Sequence, residues 1–153
     1  MLRQHSNVKL FSGSSNPSLT QSVAKKLGIE LGKVELSHFK SGEIYVRYEE
    51  SVRNTDVYLL QSFSPPINEH FVELLVMADA ARRAAARTVN AIIPYYGYAR
   101  QEKKDAPREP ITAKMVADVL TTVGIDRVVT QGLQDPAIQC CFNITLNTLT
   151  DLD

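Results

Sequence analysis

The sequence has little cysteine: there is one adjacent pair and no second pair elsewhere. Its only cysteines, Cys140 and Cys141, are adjacent within the 153 residues. An isolated vicinal pair fits neither a disulfide framework nor a zinc site. We therefore expect two small apolar side chains in a reducing compartment.

Net charge and long apolar runs are also missing. Lysine plus arginine number 17, and aspartate plus glutamate also number 17. No overall field is available to attract nucleic acid or an acidic membrane surface, so any phosphate chemistry has to come from local charge. No run of about 18 apolar residues suggests a membrane span, and the first residues do not resemble a secretory signal. We expect no nucleic-acid or membrane partner and a cytoplasmic location.

What the sequence does contain is an alternation of strand-like and helical patterns. Its length suits one substantial core, so residues 1–153 are expected to form a single domain. Strands are predicted at residues 8–12, 34–39, 44–49, 56–61, 89–95 and 127–130, and helices at residues 17–27, 68–86 and 111–123. This order predicts an α/β fold with three layers and a mainly parallel sheet. The second and third strands are predicted to form a hairpin with a polar tip.

The longest polar segment follows the predicted strand at residues 89–95. This segment, YGYARQEKKDAPREP, places Arg100, Lys103, Lys104 and Arg108 among three acidic residues. Ligands of open parallel sheets bind at the carboxyl ends of the strands, where such a loop would lie. Arginine binds phosphate oxygens with two parallel hydrogen bonds and lysine adds point charge, so the loop is predicted to close over a polyphosphate. A charge-balanced surface loop is the alternative interpretation of the same composition.

The hairpin tip carries a second candidate site. Phe39 offers an aromatic face for stacking, and Glu43 offers an acceptor for an exocyclic amine. Together these groups can recognise adenine. The alternative is that an aromatic residue beside a turn serves only in packing.

Five segments carry a resemblance to a known family: KLFSGSSNP, FKSGE, ESVRNTDVYLLQS, IPYYGYARQEKKD and REPITAKMVADVL. From about Lys9 to Val129 the chain resembles the amino-terminal half of the ribose-phosphate pyrophosphokinases (PRPP synthetases). The resemblance implies a domain of phosphoribosyltransferase type that assembles into dimers and hexamers. It also implies that ATP, with magnesium, transfers its diphosphoryl group to the anomeric hydroxyl of ribose 5-phosphate.

The resemblance assigns roles to residues of both candidate segments. The family commonly has Asp or Asn at the position of Ser41, whose shorter side chain is expected to weaken adenine binding. The positions that match ATP contacts are Phe39, Ser41 and Glu43 on the hairpin and Arg100, Gln101 and Asp105 on the long loop.

A further set of cations matches the family's regulatory phosphate or nucleotide site. These residues are Arg53, Arg82, Lys103 and Lys104. Ordinary surface cations remain the alternative interpretation.

The resemblance weakens after Val129. The family reads like DLHAPQIQGFF there, with a histidine that binds magnesium, whereas this chain has Gln134 at the position of that histidine. An amide oxygen is a weaker and uncharged ligand, so Mg²⁺ is expected to bind less firmly. The resemblance also places the ribose 5-phosphate site and the catalytic lysine in a C-terminal domain beyond Asp153.

Three interpretations of function therefore stay open. The chain is a pyrophosphokinase half that is inactive alone, a non-catalytic regulatory or assembly partner of a full-length synthetase, or a decayed copy. In the first two cases we expect a homo-oligomer or association with the full-length enzyme, with ATP and ribose 5-phosphate as the small-molecule partners.

Overall fold

The computed structural model describes residues 7–133 and 136–149. The helices are α1 (Pro17–Leu27), α2 (Ile67–Arg83) and α3 (Thr112–Val123), with a 3₁₀ helix at Pro136–Cys141. The strands are β1 (Val8–Ser12), β2 (Val34–His38), β3 (Ile44–Tyr48), β4 (Asp56–Leu60), β5 (Thr88–Ile93), β6 (Arg127–Gln131) and β7 (Thr145–Leu149).

Five of the strands form one parallel sheet in the order β1-β4-β5-β6-β7. Strands β2 and β3 form a separate antiparallel hairpin. The parallel arrangement places the carboxyl ends of all five sheet strands at one edge, which is where ligands of such sheets bind.

Helices cover both faces of the sheet. On one face, Ala24 of α1 packs against Leu10 and Leu60. On the other face, α2 and α3 bury a larger core that includes Leu59, Leu74 and, in α3, Val116. The predicted three-layer α/β fold with a mainly parallel sheet is confirmed.

Local signals set the ends of two helices as predicted. The Asn16 side chain accepts a hydrogen bond from the N–H of Leu19 at 3.2 Å and caps α1, with Pro17 in the first turn. Gly28 and Gly124 end α1 and α3 with φ values of 68° and 108°, which favour glycine because it lacks a Cβ atom.

Several predicted boundaries were wrong. Helix α2 ends at Arg83 rather than residue 86, and Ala85 turns the chain with φ 63°. Strand β5 ends at Ile93 rather than residue 95. Strand β7 and the 3₁₀ helix were not predicted at all. β7 has only partly buried and exposed residues in alternation, so its sequence lacks the apolar run that marked the other sheet strands.

The two cysteines differ in environment. Cys140 is exposed, whereas Cys141 lies against Ala113 and Ala117 of α3. Burial raises the pKa of the Cys141 thiol above its ordinary value. The prediction of a small apolar side chain is therefore confirmed for Cys141 and not for Cys140.

Among the described residues, no helix is both long and apolar enough to cross a membrane.

Candidate functional site

A cleft of about 760 Å³ lies at the carboxyl ends of β5 and β6. Arg100 and Gln101 line it, together with aromatic side chains from Tyr95 and Tyr96. Gly132 and Leu133, which follow β6, also line it. The structure thus brings together two of the residues that the resemblance assigned to ATP, at the edge of the sheet where a ligand was predicted.

Gln101 fixes the long loop to the start of α3. Its backbone oxygen accepts the N–H of Ala113 at 3.2 Å, and its side-chain oxygen accepts the hydroxyl of Thr112 at 2.5 Å. Helix α3 has no side-chain cap from Ile111, so the bond to the Ala113 N–H satisfies one backbone group that the helix would otherwise leave unpaired. The Thr112 bond holds the Gln101 side chain against the helix. The loop is therefore hydrogen-bonded to the start of α3 at the position where it lines the cleft.

Tyr96 forms an apolar wall of the cleft. It is 3% exposed and packs against Phe63 and, edge to face, against Phe142. Burial raises the pKa of its hydroxyl far above the ordinary value, so Tyr96 stays neutral at any physiological pH.

Glu102 is half-buried and also lines the cleft, whereas the other charged residues of the loop after Arg100 face solvent. Lys103, Lys104 and Arg108 are exposed, as is Asp105. The backbone N–H of Asp105 donates to the carboxylate of Glu109 at 3.0 Å, which closes a turn in the loop. The cations are therefore available to a ligand that enters from outside, and Asp105 contributes its backbone to the shape of the loop.

The hairpin tip is exposed and does not line the cleft. Phe39 is 54% exposed, and its ring meets that of Tyr45 edge to face. Gly42 has φ 93°, and the Ser41 hydroxyl donates to the Glu43 carboxylate at 3.1 Å. The structure thus presents Phe39, Ser41 and Glu43 together at one tip, apart from Arg100 and Gln101.

A buried polar network beneath the β1–α1 loop was not predicted. Glu73 of α2 is 1% exposed and accepts hydrogen bonds from the Ser14 N–H at 2.7 Å, the Ser14 hydroxyl at 2.9 Å and the Gln61 amide at 2.8 Å. The Gln61 oxygen in turn accepts the Ser15 N–H at 3.1 Å. These bonds join the loops that follow β1 and β4 beside the same sheet edge. An acidic residue on the apolar face of α2 was the only sequence signal.

The four cations assigned to a regulatory site lie at two edges of the sheet. Arg82 donates to the carbonyl of Gly124 at 2.7 Å and forms an ion pair with Asp126, just before β6. Arg53 precedes β4 at this same amino-terminal edge. Lys103 and Lys104 follow β5 at the carboxyl-terminal edge. One copy of the chain therefore does not bring the four together.

The described residues do not form a recognisable metal site. Within residues 7–133 and 136–149, no three His, Cys, Asp or Glu side chains converge on a possible metal position. Gln134, at the position of the family's histidine, lies outside the described residues.

Comparison with known proteins decides the family. Residues 8–124 match the family model for the N-terminal domain of ribose phosphate pyrophosphokinase. The chain belongs to this family. The chain is 53% identical over 146 residues to the ribose-phosphate pyrophosphokinase of Fusobacterium nucleatum, and 49% identical over 143 residues to that of Bacillus subtilis. These matches cover 95% and 94% of this chain but 46% and 45% of the relatives.

The fold agrees with a solved structure of the same family. Phosphoribosylpyrophosphate synthetase from Mycobacterium smegmatis superimposes with a TM-score of 0.92 at 42% identity, covering 94% of this chain and 48% of that chain. The chain thus spans about half the length of the ribose-phosphate pyrophosphokinases it matches. The matches extend well past Val129, where the sequence motifs had become hard to follow.

Proposed function

We propose that this chain is the nucleotide-binding part of a ribose-phosphate pyrophosphokinase, an enzyme that converts ATP and ribose 5-phosphate to PRPP and AMP. The observation that carries the proposal is the cleft at the carboxyl ends of β5 and β6, with Arg100 and Gln101 in its lining. Family membership supports the reaction, and the cleft supports a nucleotide as the ligand.

In this reaction the anomeric hydroxyl of the sugar attacks the β-phosphorus of ATP. A bond forms between that oxygen and the β-phosphorus, and the hydroxyl proton passes to water. The bond between the β-phosphorus and the oxygen that bridges to the α-phosphate breaks, and AMP leaves with that oxygen. Negative charge on the phosphate oxygens is stabilised mainly by positioned cations and hydrogen-bond donors. Arg100 supplies a guanidinium fork for this purpose, and the Gln101 amide nitrogen supplies a neutral donor because its oxygen is bonded to Thr112.

Lys103 and Lys104 add charge beside Arg100. Both lie in the loop between β5 and α3 and are exposed. We propose that the loop closes over the triphosphate, which would bring these cations toward it.

We further propose that the hairpin tip binds the adenine of a nucleotide held by another subunit. Phe39, Ser41 and Glu43 share one exposed tip and lie outside the lining of this chain's own cleft. A tip that extends away from its own cleft can reach a neighbour's. This supports a homo-oligomer or an assembly with a full-length synthetase.

Magnesium is proposed to accompany ATP. Among the described residues no three His, Cys, Asp or Glu side chains converge on a metal position, and Gln134 lies outside those residues. The ribose 5-phosphate site and the catalytic lysine are proposed to lie in the part of the relatives that this chain does not cover.

The test is AMP release from ATP, measured with Mg²⁺ and with or without ribose 5-phosphate. The chain is assayed alone and after mixing with the separately expressed carboxyl-terminal half of a relative. Sugar-dependent AMP release only after mixing is the expected result. Sugar-dependent AMP release by the chain alone would contradict the proposal that the ribose 5-phosphate site lies outside this chain, because the chain would then hold every essential group.

The same assay separates the other functions. If neither sample releases AMP but the chain alters the activity of a full-length synthetase, the result would favour a regulatory or assembly partner. If no AMP is released, the synthetase activity is unchanged and light scattering shows no association with the synthetase, the result would favour a decayed copy.

A further inference from the structure

The first turn of α2 contacts both segments that carry proposed ATP residues. The Asn68 side-chain oxygen accepts a hydrogen bond from the Tyr98 hydroxyl. The next residue, Glu69, is bonded through its carboxylate to the imidazole Nε2 of His38 at 2.7 Å. Tyr98 stands two residues before Arg100, and His38 stands directly before Phe39.

The approach of the long loop to α2 is also close in the backbone. A Cβ atom on Gly97 would lie 2.9 Å from the Ile67 side chain and 3.1 Å from the Cβ of Phe63. Such contacts are tighter than ordinary packing allows, so only glycine fits here without a shift. The glycine thus brings the loop into contact with the start of α2.

Tyr98 adopts a backbone conformation that is unfavourable for its residue type. Its φ is 67°, in the left-handed region that residues with a Cβ atom seldom occupy. Such conformations are energetically unfavourable and persist where surrounding contacts hold them. The bond from its hydroxyl to Asn68 is such a contact, and Tyr98 accepts the backbone N–H of Gln101 at 3.0 Å.

We infer that the first turn of α2 is a positioning element for nucleotide binding: Asn68 holds Tyr98 so that Arg100 and Gln101 face the cleft, and Glu69 holds His38 so that the hairpin tip projects. The inference rests on the proposed function, because it assigns the contacts a role in ATP binding. Asn68, Glu69, Tyr98 and His38 are positioning residues, since they act through the segments that bind.

Global stability depends little on either pair. The His38 and Glu69 side chains are 43% and 48% exposed, and exposed pairs contribute little to the free energy of unfolding. The Asn68–Tyr98 bond is likewise at the surface. Loss of either pair should therefore move a local segment while the melting temperature changes by only a few degrees.

The experiment compares Tyr98→Phe, Asn68→Ala and the double variant in calorimetric titrations with MgATP. A single lost hydrogen bond predicts about fivefold weaker binding in each variant. The double variant should be no weaker than either single one, because both changes remove the same bond. Tyr58→Phe is the matched control, since it also removes a tyrosine hydroxyl, from β4, on the sheet face that α1 covers.

Amide hydrogen exchange provides a readout that does not need ATP. Tyr98→Phe and Asn68→Ala should speed exchange in residues 96–110, and Glu69→Ala should speed it in residues 38–43. Additive losses of affinity, or unchanged exchange in both segments, would overturn the inference. If the unchanged chain gives no heat with MgATP, the proposed function fails, and the exchange data then decide the positioning role alone.

Discussion

Replacing Glu73 with alanine should destabilise the fold strongly, because the carboxylate is the shared acceptor of a buried network. Glu73 is 1% exposed and accepts two hydrogen bonds from Ser14 and one from Gln61, which is fully buried. The buried Gln61 amide would keep its bond to the His70 carbonyl and lose the one to Glu73, at a cost of about 1–3 kcal/mol, whereas the donors of the exposed Ser14 can bond water instead. We therefore expect Glu73→Ala to lower the free energy of unfolding by about 1–3 kcal/mol.

Urea unfolding followed by far-ultraviolet circular dichroism measures this change. Glu69→Ala is the control, because it removes the same side chain one turn earlier in α2, where the carboxylate is 48% exposed. That control should lose less than about 1 kcal/mol. If Glu73→Ala loses no more than the control, the network does not contribute to stability as its geometry indicates.

Three further predictions concern stability and pH. Gly13→Ala should cost about 1–3 kcal/mol in a urea titration, since a Cβ atom would lie 2.1 Å from the buried Gln61 oxygen. Leu59→Ala should lower the free energy of unfolding by about 2–5 kcal/mol in the same assay, because the Leu59 side chain of β4 is fully buried in the larger core. The hydrogen bond from Arg87 lowers the pKa of Asp56 below its ordinary 3.8, so the stability it contributes is complete above that pH and is lost as pH falls further. In Asp56→Asn the free energy of unfolding should therefore fall less steeply as the pH drops below about 4. An unchanged pH dependence would contradict this.

Signals confined to neighbouring residues allowed much of the fold to be predicted. Asn16 followed by Pro17 marks the start of α1, and Gly28 marks its end, because capping depends on groups only a few residues apart. β7 was missed because no local pattern of this kind marks it. Its stability comes from pairing with β6 rather than from a buried apolar run of its own.

The long-range polar contacts could not be predicted. Glu73 meets Ser14 across 59 residues of sequence, and Arg82 meets Asp126 across 44. No local pattern specifies such partners, because the sheet order brings them together. The sequence left Arg82 as either a member of the regulatory cation set or an ordinary surface cation, and the structure shows it paired at the amino-terminal edge of the sheet.

The candidate site was partly accessible from the sequence. The rule that ligands bind at the carboxyl ends of parallel strands pointed to the loop with Arg100 and Gln101, and the cleft is there. The attachment of Gln101 to Thr112 and the contact of Tyr98 with Asn68 were not foreseen, because each joins residues of different elements. The roles of the hairpin tip and of the cation set stay predictions.

The most direct test of the central claim is a calorimetric titration of the chain with MgATP, run beside Arg100→Ala and Arg83→Ala. Arg83 is an exposed arginine at the end of α2, paired with Asp79 and remote from the cleft, and so controls for the loss of one positive charge. We predict saturable binding by the unchanged chain and by Arg83→Ala, and binding at least tenfold weaker in Arg100→Ala, since a charged hydrogen-bonding group contributes about 1.5–3 kcal/mol. Equal binding by all three proteins, or no binding by any, would contradict the assignment of the cleft to a nucleotide.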